Sequence, residues 1–204
     1  MKQYHANEHL RANLKGIFSN LSIEEQWDIY KSHICHVNAL NAELESMQQN
    51  QQDGSCLFAD RRRRIHYEFN ELTLHEDFFS SLSPQSNSLR FTSESPLRTQ
   101  IELQFRLEKN WWNDLKKLSH SRGIQWIIAA ADLKSHQLYN LGLCSSEGIP
   151  AGMIPLLTIN LNEHAYLRDF GSRGKENYLT AILQHMNLKK AENQYSWLLG
   201  KPCV

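Results

Sequence analysis

Asn160 and His164 stand where an apolar run gives way to a helical one. Ile154 to Ile159 is too short for a long helix and is flanked by Pro150 and Gly152, so it predicts an interior strand. Glu163-His164-Ala165-Tyr166 then predicts the start of a helix. A strand end that feeds a helix start can hold two side chains close together and aim them at one point. The imidazole could ligate a metal or join a hydrogen-bonded cluster, whereas an amide oxygen is a weak, uncharged donor to a cation. A further imidazole, His75, shares a helical face with Leu72, Phe79 and Leu82. The four cysteines, Cys35, Cys56, Cys144 and Cys203, contain no CxxC pair, so they make neither a zinc motif nor a disulfide framework.

The elements that must position these groups fall in two parts. Ser22-Ile-Glu-Glu25 has the form of a capping box. Beyond it Trp27, Tyr30, Ile34, Val37, Leu40, Leu44 and Met47 recur at spacings of three and four, predicting a long amphipathic helix over 22–48. Gln48 to Ser55 is polar and Gln-rich and predicts a loop. A second helix is expected from about Asp60 to Leu82, stopped by Ser83-Pro84. Together they predict an antiparallel helical hairpin over 1–84. Arg61 to Arg64, near the start of the second helix, reads as a solvated or partner-facing charge run, with a contact to RNA or an acidic protein as the alternative.

The Ser-rich stretch Ser83 to Pro96 marks a boundary, and 97–204 is expected to form an α/β domain. One helical pattern runs from Leu97 to about His120. Strands are expected at Ile124–Ala131, Gln137–Leu143 and Ile154–Leu161, with a turn over Asp132–His136 and helices after His164. Three strands so spaced suit a small antiparallel sheet with helices on one face, and hence an α+β fold.

The totals exclude several classes. Lys plus Arg and Asp plus Glu both number 22, for a formal charge of zero. Such a chain does not bind nucleic acid by bulk electrostatics, although a local basic patch remains open. No apolar run approaches the length of a membrane span. Met1 to His9 carries neither a signal-peptide core nor an Arg/Ser-rich transit pattern. Scattered thiols suit a reducing compartment.

Three stretches resemble one family, the iron/manganese superoxide dismutases. Pro155-Leu-Leu-Thr-Ile-Asn-Leu-Asn-Glu-His-Ala-Tyr166 is similar to the signature P-L-L-x-I-D-V-W-E-H-A-Y. Val37-Asn-Ala-Leu-Asn41 resembles the end of Y-V-N-x-L-N, and His75-Glu-Asp-Phe-Phe79 to Pro84 resembles N-H-x-x-F-W-x-x-L-x-P. Tyr178 to Asn187 is similar to a later helix of the family, so the resemblance spans about residues 20–190.

The resemblance implies a metal held by three histidines and one aspartate, with the anion stabilising the oxidised ion in a dry cavity. Counted without a gap, those positions are Asp28, His75, Asn160 and His164. Two ligands are kept, one His has become a carboxylate, and the carboxylate has become an amide. The surrounding positions are also changed: Ser32 for a His, His36 for the gateway Tyr, Asn162 for a Trp, and Cys144 near the residue that bonds the metal's solvent. Asp28, His75 and His164 are expected to form a buried hydrogen-bonded cluster. Two His and one carboxylate that retain iron or manganese are the alternative. Glu163 and His164 would also lie at the family's two-fold pairing surface.

The resemblance therefore implies a non-catalytic, dismutase-like structural subunit with no cofactor. Its setting would be the small subunit of the mitochondrial ribosome, in the matrix, paired with a homologous subunit as a homo- or heterodimer. Other proteins of the assembly would hold it, and any rRNA contact would be peripheral. The rival expectations are a working iron or manganese dismutase with an altered ligand set, and a scaffold subunit of another mitochondrial assembly such as a respiratory complex.

Overall fold

A computed structural model describes residues 3–85, 90–144 and 147–200. After a 3-10 turn at Glu8–Leu14, helices α1 (Asn20–Gln49) and α2 (Cys56–Ser80) run antiparallel as a hairpin. Trp27, Tyr30, Ile34, Val37, Leu40, Leu44 and Met47 of α1 are buried, as their spacing predicted. Trp27 and Tyr30 each meet Phe79 of α2 with ring centroids 5.6 Å apart.

The capping residue of α1 is not Ser22 but Ser19. The Ser19 hydroxyl oxygen accepts the Ser22 N–H at 3.2 Å, while Ser22 is buried inside the first turn. Ser19 is held there by Asp169, whose carboxylate accepts both its N–H and its hydroxyl. A contact 150 residues distant in sequence thus sets the helix start. Ser55 caps α2 in the same way, so that helix begins before the expected Asp60.

The stretch expected as one helix after Leu97 is two, α3 (Pro96–Phe105) and α4 (Glu108–Leu118). The chain breaks at Arg106, whose φ of 68° no helix tolerates. Leu107 is half exposed beyond the break, and Trp111 and Leu115 start a new buried stripe against the sheet.

Strands β1 (Trp126–Asp132), β2 (Leu138–Leu143) and β3 (Met153–Asn160) form an antiparallel sheet in the order β2-β1-β3. Helices cover both faces, not one. Trp126 to Ala131 are all buried. Trp126 meets Phe78 of α2, while Trp111 of α4 donates its indole N–H to Asn140 of β2, which pairs with Ala129. Side chains alternate along a strand, so these two contacts lie on opposite faces. Three further helices follow: α5 (Glu163–Phe170), α6 (Lys175–Gln184) and α7 (Leu188–Leu198).

Two polar joints tie helices to the sheet. Asp77 of α2 accepts the Thr158 hydroxyl of β3 at 3.1 Å and Lys190 Nζ of α7 at 2.9 Å, locking α2 against β3. At the outer edge of the sheet, the Gln104 side-chain amide accepts the Leu138 N–H at 2.7 Å and donates to its carbonyl at 3.1 Å. No described helix is long and apolar enough to cross a membrane.

Candidate metal centre

His75 lies at the centre of the molecule. It follows Glu71 by one turn on the apolar face of α2 and is fully buried. Its Nδ1–H donates to the Glu71 carbonyl at 2.8 Å. That bond fixes the tautomer and leaves the lone pair on Nε2, which has no partner. Around the ring stand His33 at 5.4 Å between centroids, Trp126 edge-on at 5.0 Å and His164 stacked at 5.8 Å. Burial pushes the His75 pKa down to about 3, and burial together with His33 pushes His164 down to about 4. Both rings are therefore neutral at pH 7.

The helical side of this cluster is acidic. Glu68 is buried and accepts Nδ1–H from His33 at 2.8 Å and from His36 at 3.1 Å. Burial works to raise its pKa, but those two hydrogen bonds prevail and its carboxyl lies below the ordinary range. Glu71 is 5 % exposed and receives the Trp126 indole N–H at 3.3 Å. Burial pushes it up to about 7, against that bond and with help from Glu68. Ligand-capable atoms of His33, Glu71 and His75 all lie within 4.8 Å of one another, as do those of His33, His36 and Glu68.

The strand wall is uncharged. Asn160 at the end of β3 is fully buried. Its Oδ1 accepts the Asn162 N–H at 2.9 Å and the Asn162 amide at 2.8 Å. With the oxygen so engaged, Nδ2 is turned toward His164 Nε2 at 3.3 Å. An aspartate here could accept the same backbone N–H and still point a second anionic oxygen at a cation. The asparagine presents N–H hydrogens instead, which repel a cation and occupy the His164 lone pair. The Tyr178 hydroxyl, donating to the Asn160 carbonyl at 2.6 Å, holds the strand end in place.

Of the four positions implied as ligands, the structure brings His75, Asn160 and His164 together and leaves Asp28 out. Asp28 is 67 % exposed and pairs with Lys31 at 2.8 Å. The expected buried cluster of Asp28, His75 and His164 is thus corrected. Ser32, one turn on from Asp28, is also exposed and donates to the Ile29 carbonyl. The inward face of α1 passes through Trp27, Tyr30, Ile34 and Val37, and its imidazole is His33. A gapless count back from Val37 lands on the solvent side. Of the surrounding positions, Asn162 and half-exposed His36 reach the cluster through Asn160 and Glu68. Cys144 is exposed, and its N–H bonds Glu147. Glu163 is exposed on the first turn of α5.

His33, Glu68 and Glu71 were not singled out by sequence. A signal existed: Glu68, Glu71 and His75 fall at intervals of three and four on the same stripe as Leu72 and Phe79. Carboxylates on an apolar stripe are rarely buried without a cationic or metal partner. The family-type set does not fit a redox metal here, because one carboxylate faces solvent and the other position shows N–H groups. The trio His33, Glu71 and His75 does have the donor chemistry of a metal site, and nothing in this arrangement supports an expectation of no cofactor.

Residues 93–194 match the family described as iron/manganese superoxide dismutases, C-terminal domain. The chain is 23 % identical to a protein named superoxide dismutase [Fe] from Cupriavidus metallidurans, over 91 % of each sequence. It is 28 % identical to a superoxide dismutase [Fe] of Aquifex pyrophilus, over 88 % of this chain and 85 % of that one. It is 25 % identical to superoxide dismutase [Mn] 2 of Haloferax volcanii, over 71 % and 72 %.

Proposed function

Because the chain belongs to the iron/manganese superoxide dismutase family, we propose that it has kept the family's scaffold and given up dismutation. It serves as a structural subunit of a larger assembly, the small subunit of the mitochondrial ribosome in the matrix. The observation that carries the loss of dismutation is the orientation of Asn160. Dismutation needs a metal that alternates between two charge states beside an anion, and this position offers His164 an N–H instead. Asp28, turned to solvent, does not make good the loss.

The partner is a homologous dismutase-like subunit, as a homo- or heterodimer, that docks around Glu163 and His164. Zero net charge supports a peripheral seat held by protein contacts, with little rRNA beneath it. The test is affinity purification of the tagged protein from its own cells, together with a superoxide assay. Co-purification with small-subunit proteins and rRNA, and no dismutation, is expected. Co-purification with a respiratory complex would move the subunit to another assembly. Dismutation at the rate of an authentic family enzyme would end the proposal.

One observation favours a second reading, an active dismutase with an altered ligand set. The relatives carry the names of dismutases, and His33, Glu71 and His75 offer two imidazoles and a carboxylate. The superoxide assay separates the two.

A further inference from the structure

We propose that the chain binds one divalent transition-metal ion on His33, Glu71 and His75, against its helical wall. This set shares only His75 with the four positions implied by the family. It does not depend on any ribosomal role.

Three features support the site. The first is the unpartnered Nε2 of His75. A buried imidazole nitrogen without a partner forfeits its hydrogen bond to water, a cost that a bound ion would relieve. The Nδ1–H bond to the Glu71 carbonyl aims that lone pair inward, the arrangement by which ligating histidines are oriented.

The second is His33. Its Nδ1–H is taken by Glu68 at 2.8 Å, so Nε2 carries the free lone pair. A carboxylate behind an imidazole makes it a better donor. The third is Glu71. It is buried beside both imidazoles and accepts the Trp126 indole N–H at 3.3 Å, and an arriving cation would displace the proton that burial favours. One donor atom from each of the three falls within 4.8 Å of the others, close enough for small side-chain rotations to bring them onto one ion.

The ion's class follows from the donors. Two imidazoles and one carboxylate suit zinc or ferrous iron and leave a coordination position open. Glu68, behind His33, balances the second charge. Asn160, whose oxygen is taken by Asn162 and whose nitrogen faces His164, adds no donor to the set.

The test uses the whole chain, stripped with a chelator, dialysed, and titrated with Zn²⁺ against a chromophoric competitor. One zinc per chain is expected, with a rise in melting temperature. Glu71→Gln, which keeps the side-chain shape, should weaken binding by about tenfold or more and abolish the rise. His75→Ala should remove binding. Asp28→Asn, on the solvent side of α1, should bind as wild type. Should His75→Ala fail to fold, Glu71→Gln decides the matter alone. Zinc binding unaffected by Glu71→Gln, equal loss in Asp28→Asn, or no zinc retained by the wild type would each overturn the proposal. Loss of the site would leave the assembly role standing, and an enzyme with dismutase activity could still bind zinc here.

Discussion

The two walls around His75 differ in kind. The helical wall, from α1 and α2, gathers two carboxylates and three imidazoles, several linked by hydrogen bonds. The strand wall, from the end of β3 and the start of α5, has an amide, a second amide and one imidazole, joined in a chain of hydrogen bonds through Asn160. The resemblance places the family's anion on the strand wall. Here the acidic groups sit on the other side of His75, on α2. A fold can therefore keep its backbone and His75 while the acidic side of the cluster changes.

The largest effect should come from disturbing the charged wall. His33→Ala removes the closer of the two imidazoles on Glu68 and should cost about 2–3 kcal/mol. Asn160→Ala, on the neutral wall, should cost about 1 kcal/mol. Denaturant midpoints measure both, and a reversal of that order would break the contrast.

Acid titration sharpens it. In the metal-free protein His75 and His164 stay neutral when folded, at about 3 and about 4 against an ordinary 6.5. The unfolded chain takes up those two protons first, so their contribution is complete above pH 6.5 and is lost as pH falls toward 4. Glu71 acts in the opposite sense. Raised to about 7 from 4.5, it keeps when folded a proton that the unfolded chain has released, so its contribution is lost as pH rises through 7. Between pH 5 and 6 the net difference is one proton, or about 1.4 kcal/mol per pH unit. Glu71→Gln leaves two, and should steepen the fall to about 2.7 kcal/mol per pH unit. Melting temperatures across that range, with equal slopes for both proteins, would refute the assignment.

The smallest effect should be that of Asp28→Ala, within about 0.5 kcal/mol of wild type. A larger loss would mean that Asp28 belongs to the cavity after all.

Much of the architecture was legible because it depends on local pattern. The stripe of α1, the punctuation after Leu82 and the three strands all follow from spacing and breakers. What was not legible depends on distant partners. Ser19 caps α1 where Asp169 holds it, and the chain breaks at Arg106 ahead of the helix that buries Trp111. In the site, Asn160 and His164 were readable because strand and helix meet there within four residues. Asp28 was misplaced because one residue of slip on a helix rotates a side chain by about 100°, enough to carry it from cavity to solvent. Glu68 and Glu71 lay within an apolar stripe, where acidic residues pass for interruptions until the fold shows what they face.

The amide of Gln104 has a bearing on how this molecule lives beside others. By filling both the donor and the acceptor of Leu138, it plugs the first rung that a stray strand from a neighbouring polypeptide would need to zip onto the rim of the sheet. Gln104→Ala is therefore expected to raise turbidity on storage before it lowers the melting temperature.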